Sequence, residues 1–167
     1  MTGPLDDAFN HHVWATLRLL DACAALTPEQ LQTTVPGTYG SILDTARHLV
    51  GSDNFYLFVM TGLERIDEDH MDVGELRDAM EANGPRWTAL LAEDRDPDQM
   101  TVVPGDEGWE FHAPMGIRLA QSVHHGTDHR SQICTALTTL GIEPPAIDVW
   151  DYGDETARTA DVRSPAT

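Results

Sequence analysis

Along four long stretches of this chain apolar residues return every three or four positions, the pattern of an amphipathic helix with one buried face. The first stretch runs from about Leu5 to Leu26, through Phe9, Val13, Leu17, Leu20 and Ala24. The second follows Ser41, a residue suited to cap a helix, with Asp44 at capping-box spacing. It carries Ile42, Ala46, Leu49, Val50, Leu57 and Met60 on one arc and ends at Thr61-Gly62. The third spans about Val73 to Glu93 through Leu76, Met80, Trp87, Leu90 and Leu91, and Gly84-Pro85 should kink it. The fourth opens near Pro114 and reaches Leu140, where Gly141 closes it.

Between the third and fourth stretches the pattern changes. Thr101-Val102-Val103 and Trp109-Glu110-Phe111 are β-prone runs around Pro104-Gly105-Asp106-Glu107-Gly108, which predicts a small hairpin within Gln99–His112. The whole is an all-α chain: a four-helix bundle with a β-hairpin between helices three and four. One domain is expected over residues 1–156, with Ile147, Val149, Trp150 and Tyr152 packing back on the bundle. The small polar residues of 157–167 are expected to be a disordered tail.

Charge narrows the partners. The chain has 28 acidic residues against 10 basic ones, all arginine, for a net charge of -18. Such a surface repels nucleic-acid phosphates and anionic membranes. No apolar run approaches the roughly 20 residues that span a bilayer, and the start MTGPLDDAFNHH lacks a secretion signal, so a cytoplasmic location is expected. Cys23 and Cys134 lie far apart inside helical patterns, where a free thiol packs as a small hydrophobe.

The chemistry concentrates in Gln121–Gln132. At about 100° per residue, Met115, Ser122, His125, His129, Ile133, Ala136 and Leu140 share one stripe of the fourth helix. His125 and His129, at i and i+4, therefore neighbour one another on the buried face. Unpartnered imidazoles there would be costly. Either a metal ion compensates them, or facing carboxylates and backbone carbonyls do. His48, midway along the second helix beside Thr45, Ser52 and Phe55, can supply a third nitrogen if that flank faces helix four. Three histidines with an open position describe a catalytic rather than a structural metal site. Gly126, with no side chain, would let another helix or a ligand approach.

Two segments resemble a known family. Gly40-Ser41-Ile42-Leu43-Asp44-Thr45-Ala46-Arg47-His48-Leu49-Val50 and His125-Gly126-Thr127-Asp128-His129-Arg130-Ser131-Gln132-Ile133 are similar to the histidine motifs of the DinB-like superfamily of metal-binding four-helix bundles. Asn10–Leu20 and Ile147–Tyr152 are more loosely similar. The resemblance implies that His48, His125 and His129 hold one divalent metal, zinc or nickel, and that the chain forms a homodimer. It further implies thiol chemistry: a metal-dependent S-transferase in which mycothiol or bacillithiol occupies the open position and attacks a small-molecule electrophile. A metal-stabilised stress-response or binding protein without catalysis, and a metal-dependent hydrolase, stand as alternatives. No carboxylate at a helical spacing from the ligands stands out as a general base, which counts against the hydrolase.

Arg130 follows the last ligand, and is expected either in a salt bridge across the bundle or on an anionic substrate group. Gln132 can orient a ligand or simply pack. His124 points away on the flank, and Asp128 stands where relatives often carry another histidine. His11 and His12 are expected at the surface, with the open side of the site as the other placement. His70 and His112 are expected in a loop and the hairpin without partners.

Overall fold

The computed structural model describes residues 3–162. The last five positions of the expected tail, 163–167, lie outside the described residues. Helix α1 (Pro4–Ala24) begins with proline, whose missing N–H costs nothing in a first turn. A single turn, α2 (Pro28–Leu31), follows behind a Thr27–Gln30 capping box. Ser41 and Asp44 cap α3 (Ile42–Thr61) reciprocally, and Gly62 ends it at φ 75°, a left-handed value glycine tolerates. Asp72 and Glu75 do the same for α4 (Val73–Ala92), which carries Pro85 in its interior and continues beyond it. Strands β1 (Met100–Pro104) and β2 (Glu110–Pro114) pair antiparallel, Val102 opposite His112. Helix α5 (Met115–Thr139) starts directly from β2, and α6 (Val149–Glu155) starts at an Asp148 cap.

Packing runs around a ring: α1 lies on α4, α4 on α3, α3 on α5, and α5 on α1. Inside the ring are two apolar clusters. One gathers Leu19, Leu20, Ile42, Val50, Leu76, Met80, Ile133 and Leu137; the other gathers Phe9, Leu57, Met60, Trp87, Leu90 and Met115. Fully burying such side chains stabilises by roughly 1.5–3 kcal/mol each. Cys23 belongs to the first cluster, and burial pushes its thiol up to about 12, as an inert core residue requires.

A polar layer separates the clusters. Asp53 on α3 accepts from His12 Nε2 at 2.8 Å, from Asn83 Nδ2 at 2.7 Å and from Trp87 Nε1 at 3.0 Å. His12 in turn meets the Arg130 guanidinium of α5. All four long helices therefore contribute to one buried network.

The C-terminal segment docks only in part. Tyr152 is buried against Trp14 and His11, ring centroids 5.6 Å and 5.9 Å away. Val149 and Trp150, expected to pack as well, are exposed, because the short α6 presents one face to α1 and turns these two outward. Arg158 reaches Asp7, and Thr159 bonds Asp154.

Candidate metal centre

Two of the three histidines are set by one helix. His125 and His129 stand a turn apart on α5, ring centroids 4.4 Å apart. His48 arrives from α3, its ring 4.9 Å from His125 and 4.7 Å from His129. One ring nitrogen from each of the three lies within 4.8 Å of the others, and His48 Nε2 and His125 Nε2 are 3.0 Å apart. Ligands about 2.1 Å from a tetrahedral ion sit roughly 3.4 Å from one another, so the donors are spaced to share one cation. The donor set also fits: three imidazoles, each able to offer a ring nitrogen to one ion.

Hydrogen bonding orients one ring unambiguously. The Tyr39 backbone N–H donates to Gln132 Oε1 at 2.9 Å, so the atom facing His129 is an acceptor. His129 Nδ1, 3.1 Å from the same oxygen, must then carry its proton and donate. That leaves Nε2 with its lone pair for a metal, the usual arrangement of an orienting partner behind a histidine ligand. Gln132 is thus a positioning residue. Tyr39, at the end of the loop before α3, stacks flat on His48, 4.0 Å between centroids.

The electrostatics favour neutral rings. Burial, then the neighbouring His129 and His48, pushes His125 down to about 4. Burial likewise lowers His48, with Glu68 opposing. His129 is buried, whereas His48 and His125 are half-buried. Beside His48 opens a cavity of about 510 Å³ lined by Tyr39, Asp44, Arg47, Glu68 and Asp69. Glu68 reaches this cavity from the 3₁₀ turn Glu68–His70 by crossing Gly51 of α3, where a Cβ would fall 2.3 Å from its Cδ. No helical spacing from the ligands could have revealed it.

A model of the DinB family matches residues 1–161. The chain belongs to the DinB family. No curated protein matches it. Among solved structures it is similar to a DinB-like protein from Bacillus cereus ATCC 10987, at 19% identity and a TM-score of 0.61, covering 83% of this chain and 92% of that one. At that identity the likeness speaks for the shared fold: the DinB-like helical bundle with its small hairpin.

Several sequence expectations for this DinB chain need revision. His11 and His12 are buried rather than exposed, at 8% and 1%. His11 Nε2 donates to the Ile147 carbonyl, and His12 belongs to the polar layer. The signal was present: His12, Asp53 and Asn83 each interrupt an apolar stripe, flanked at -3 by Phe9, Val50 and Met80. Arg130 lies on the α1 side of α5, 3% exposed, bonded to His12, Thr16 and Thr127 and forming no direct salt bridge among the described residues. Its partner across the bundle is an imidazole. Gly126 admits another helix: His12 occupies the space where a Cβ would be, 2.3 Å from Cε1. His112 has a partner after all, Glu110 at 2.7 Å. His124, Asp128 and His70 are exposed.

Proposed function

We propose that this chain is a metal-dependent S-transferase using a low-molecular-weight thiol, mycothiol or bacillithiol, against a small-molecule electrophile. The observation that carries the reading is the convergence of His48, His125 and His129 beside a polar cavity. A zinc or nickel ion held there would supply Lewis acidity, lowering the pKa of a thiol enough to make it nucleophilic at neutral pH. Gln132 holds His129 with Nε2 free, and Tyr39 fixes the plane of His48. Arg47 offers a cation at the cavity wall for an anionic part of the thiol. Glu68, in the same cavity, takes the thiol proton.

A second reading draws on the same carboxylate. Glu68 supplies the base that a metal-dependent hydrolase needs. Elemental analysis should give about one metal per chain, and His125→Ala should abolish it. Metal-dependent consumption of monobromobimane in the presence of mycothiol supports the transferase; ester or amide hydrolysis without thiol supports the hydrolase. Metal-dependent melting with neither activity would overturn both in favour of a non-catalytic, metal-stabilised protein.

We also propose a cytoplasmic homodimer. No described helix is long and apolar enough to cross a membrane, and exposed Trp109 and Trp150 offer apolar surface for a second copy to cover. Sedimentation as a concentration-independent monomer would refute the dimer.

A further inference from the structure

Arg118 is, with Arg130, one of two arginines buried among the described residues of this acidic chain. Only 4% exposed, it has no carboxylate within 4.0 Å among the described residues. By contrast Arg18, Arg77, Arg95 and Arg158 are all ion-paired on the surface. Its Nε donates to Thr101 Oγ1 of β1, and one terminal nitrogen reaches the Phe111 carbonyl of β2 at 3.4 Å. The other terminal nitrogen, Nη1, has no hydrogen bond among the described residues and is reached by solvent. A buried charge without an opposite charge is expensive unless something else completes it. Burial accordingly lowers the Arg118 pKa from its ordinary value.

The guanidinium sits in the wall of a cavity of about 370 Å³ where the hairpin, α3 and α5 meet. The remaining lining is largely apolar: Phe55, Tyr56, Val103, Phe111 and Ile117. Arg65 stands over the ring of Phe55, 5.2 Å from its centroid, so a second cation lies beside one of the lining residues. The guanidinium lies over the Phe111 ring, 5.3 Å from its centroid, yet meets no anion, and a pocket with an apolar body and one cation lacking a counter-charge matches a ligand built the same way with opposite charge.

We propose that this pocket binds an amphipathic monoanion, its aromatic or alkyl body against Phe55, Tyr56 and Ile117 and its carboxylate on the Arg118 guanidinium. The site goes beyond the metal reading and stands without it. It is nonetheless adjacent: Arg118 precedes His125 by seven residues on the same stripe of α5, about 10 Å along the axis. Tyr56 bridges the two, its ring 6.0 Å from that of His125. A ligand anchored at Arg118 and extended along α5 therefore points towards the histidines.

The probe is 4-phenylbutyrate, with 4-phenylbutan-1-ol as its uncharged counterpart, titrated into metal-free full-length protein by calorimetry and by ¹H–¹⁵N NMR. The acid should bind once per chain, shift amides around Val103, Phe111 and Ile117–Gln121, and bind at least about tenfold more tightly than the alcohol. Arg118→Gln retains hydrogen-bond donors for Thr101 and the hairpin but removes the charge, and should lose about tenfold for the acid alone. Should that variant misfold, Ile117→Glu at an exposed position puts a carboxylate at the mouth and should repel the acid equally well. Equal binding of acid and alcohol, shifts confined elsewhere, no saturable binding at millimolar acid, or wild-type affinity in a folded Arg118→Gln variant would each overturn the site. A merely structural Arg118, pinning the hairpin, predicts the last of these.

Discussion

The Arg130 guanidinium lies 3.0 Å from Nδ1 of His12, and because a guanidinium can only donate, that nitrogen must carry a lone pair. His12 is therefore neutral with its proton on Nε2, which donates to Asp53 at 2.8 Å. A neutral imidazole thus joins a buried cation on α5 to a buried anion on α3. Removing one partner of such a set leaves a charge in the core. Arg130→Met should cost about 3–5 kcal/mol in urea unfolding. The Arg130→Met, Asp53→Asn double variant should cost much less than the sum of the two singles, since the pair is coupled through His12. Additive losses would show that the three residues do not act together.

Gly126 offers a cleaner steric test of the same contact. The His12 ring is held on both nitrogens and cannot swing away from a new methyl group 2.3 Å from its Cε1. Gly126→Ala should destabilise by about 1–3 kcal/mol, despite alanine's better helix propensity. A stabilised variant in thermal or urea unfolding would contradict the close approach of α1 and α5.

Behind the metal centre, Gln132 orients His129 without touching a cation itself. Gln132→Leu, similar in volume, removes the acceptor for His129 Nδ1 and for the Tyr39 N–H. Metal affinity should fall roughly 10–100-fold, with the circular dichroism spectrum unchanged. Competition against a chromophoric chelator measures the change, and an unaltered affinity would remove Gln132 from the site.

The metal-free protein should be acid-sensitive in a defined window. Folding lowers the pKa of His125 from 6.5 to about 4. Above 6.5 neither state binds the proton and nothing is lost. Between 6.5 and 4 the unfolded chain takes up a proton that the folded chain refuses, so stability falls as the pH drops through that range. Burial lowers His48 and His11 as well, adding in the same direction. Melting temperatures from pH 7.5 to 4.5 should decline in wild type and decline less in His125→Ala. Identical pH profiles would dissociate His125 from the effect.

Helix boundaries and caps followed from local rules, because a capping box or a closing glycine satisfies backbone groups within a few residues of itself. Ser41–Asp44, Gly62 and Gly141 all stand where such reasoning puts them. The His125–His129 pairing followed likewise, since the pitch of one helix sets it. Periodicity says which way a side chain faces on its own helix, and nothing about how far that helix slides or rotates against its neighbour. That relative register brings His48 to α5, fits His12 into the gap left by Gly126, and carries Glu68 over Gly51 into the cavity. These residues lie far apart in sequence, and their meeting depends on packing two apolar clusters on either side of a polar layer, an outcome of the assembled bundle rather than of any one segment.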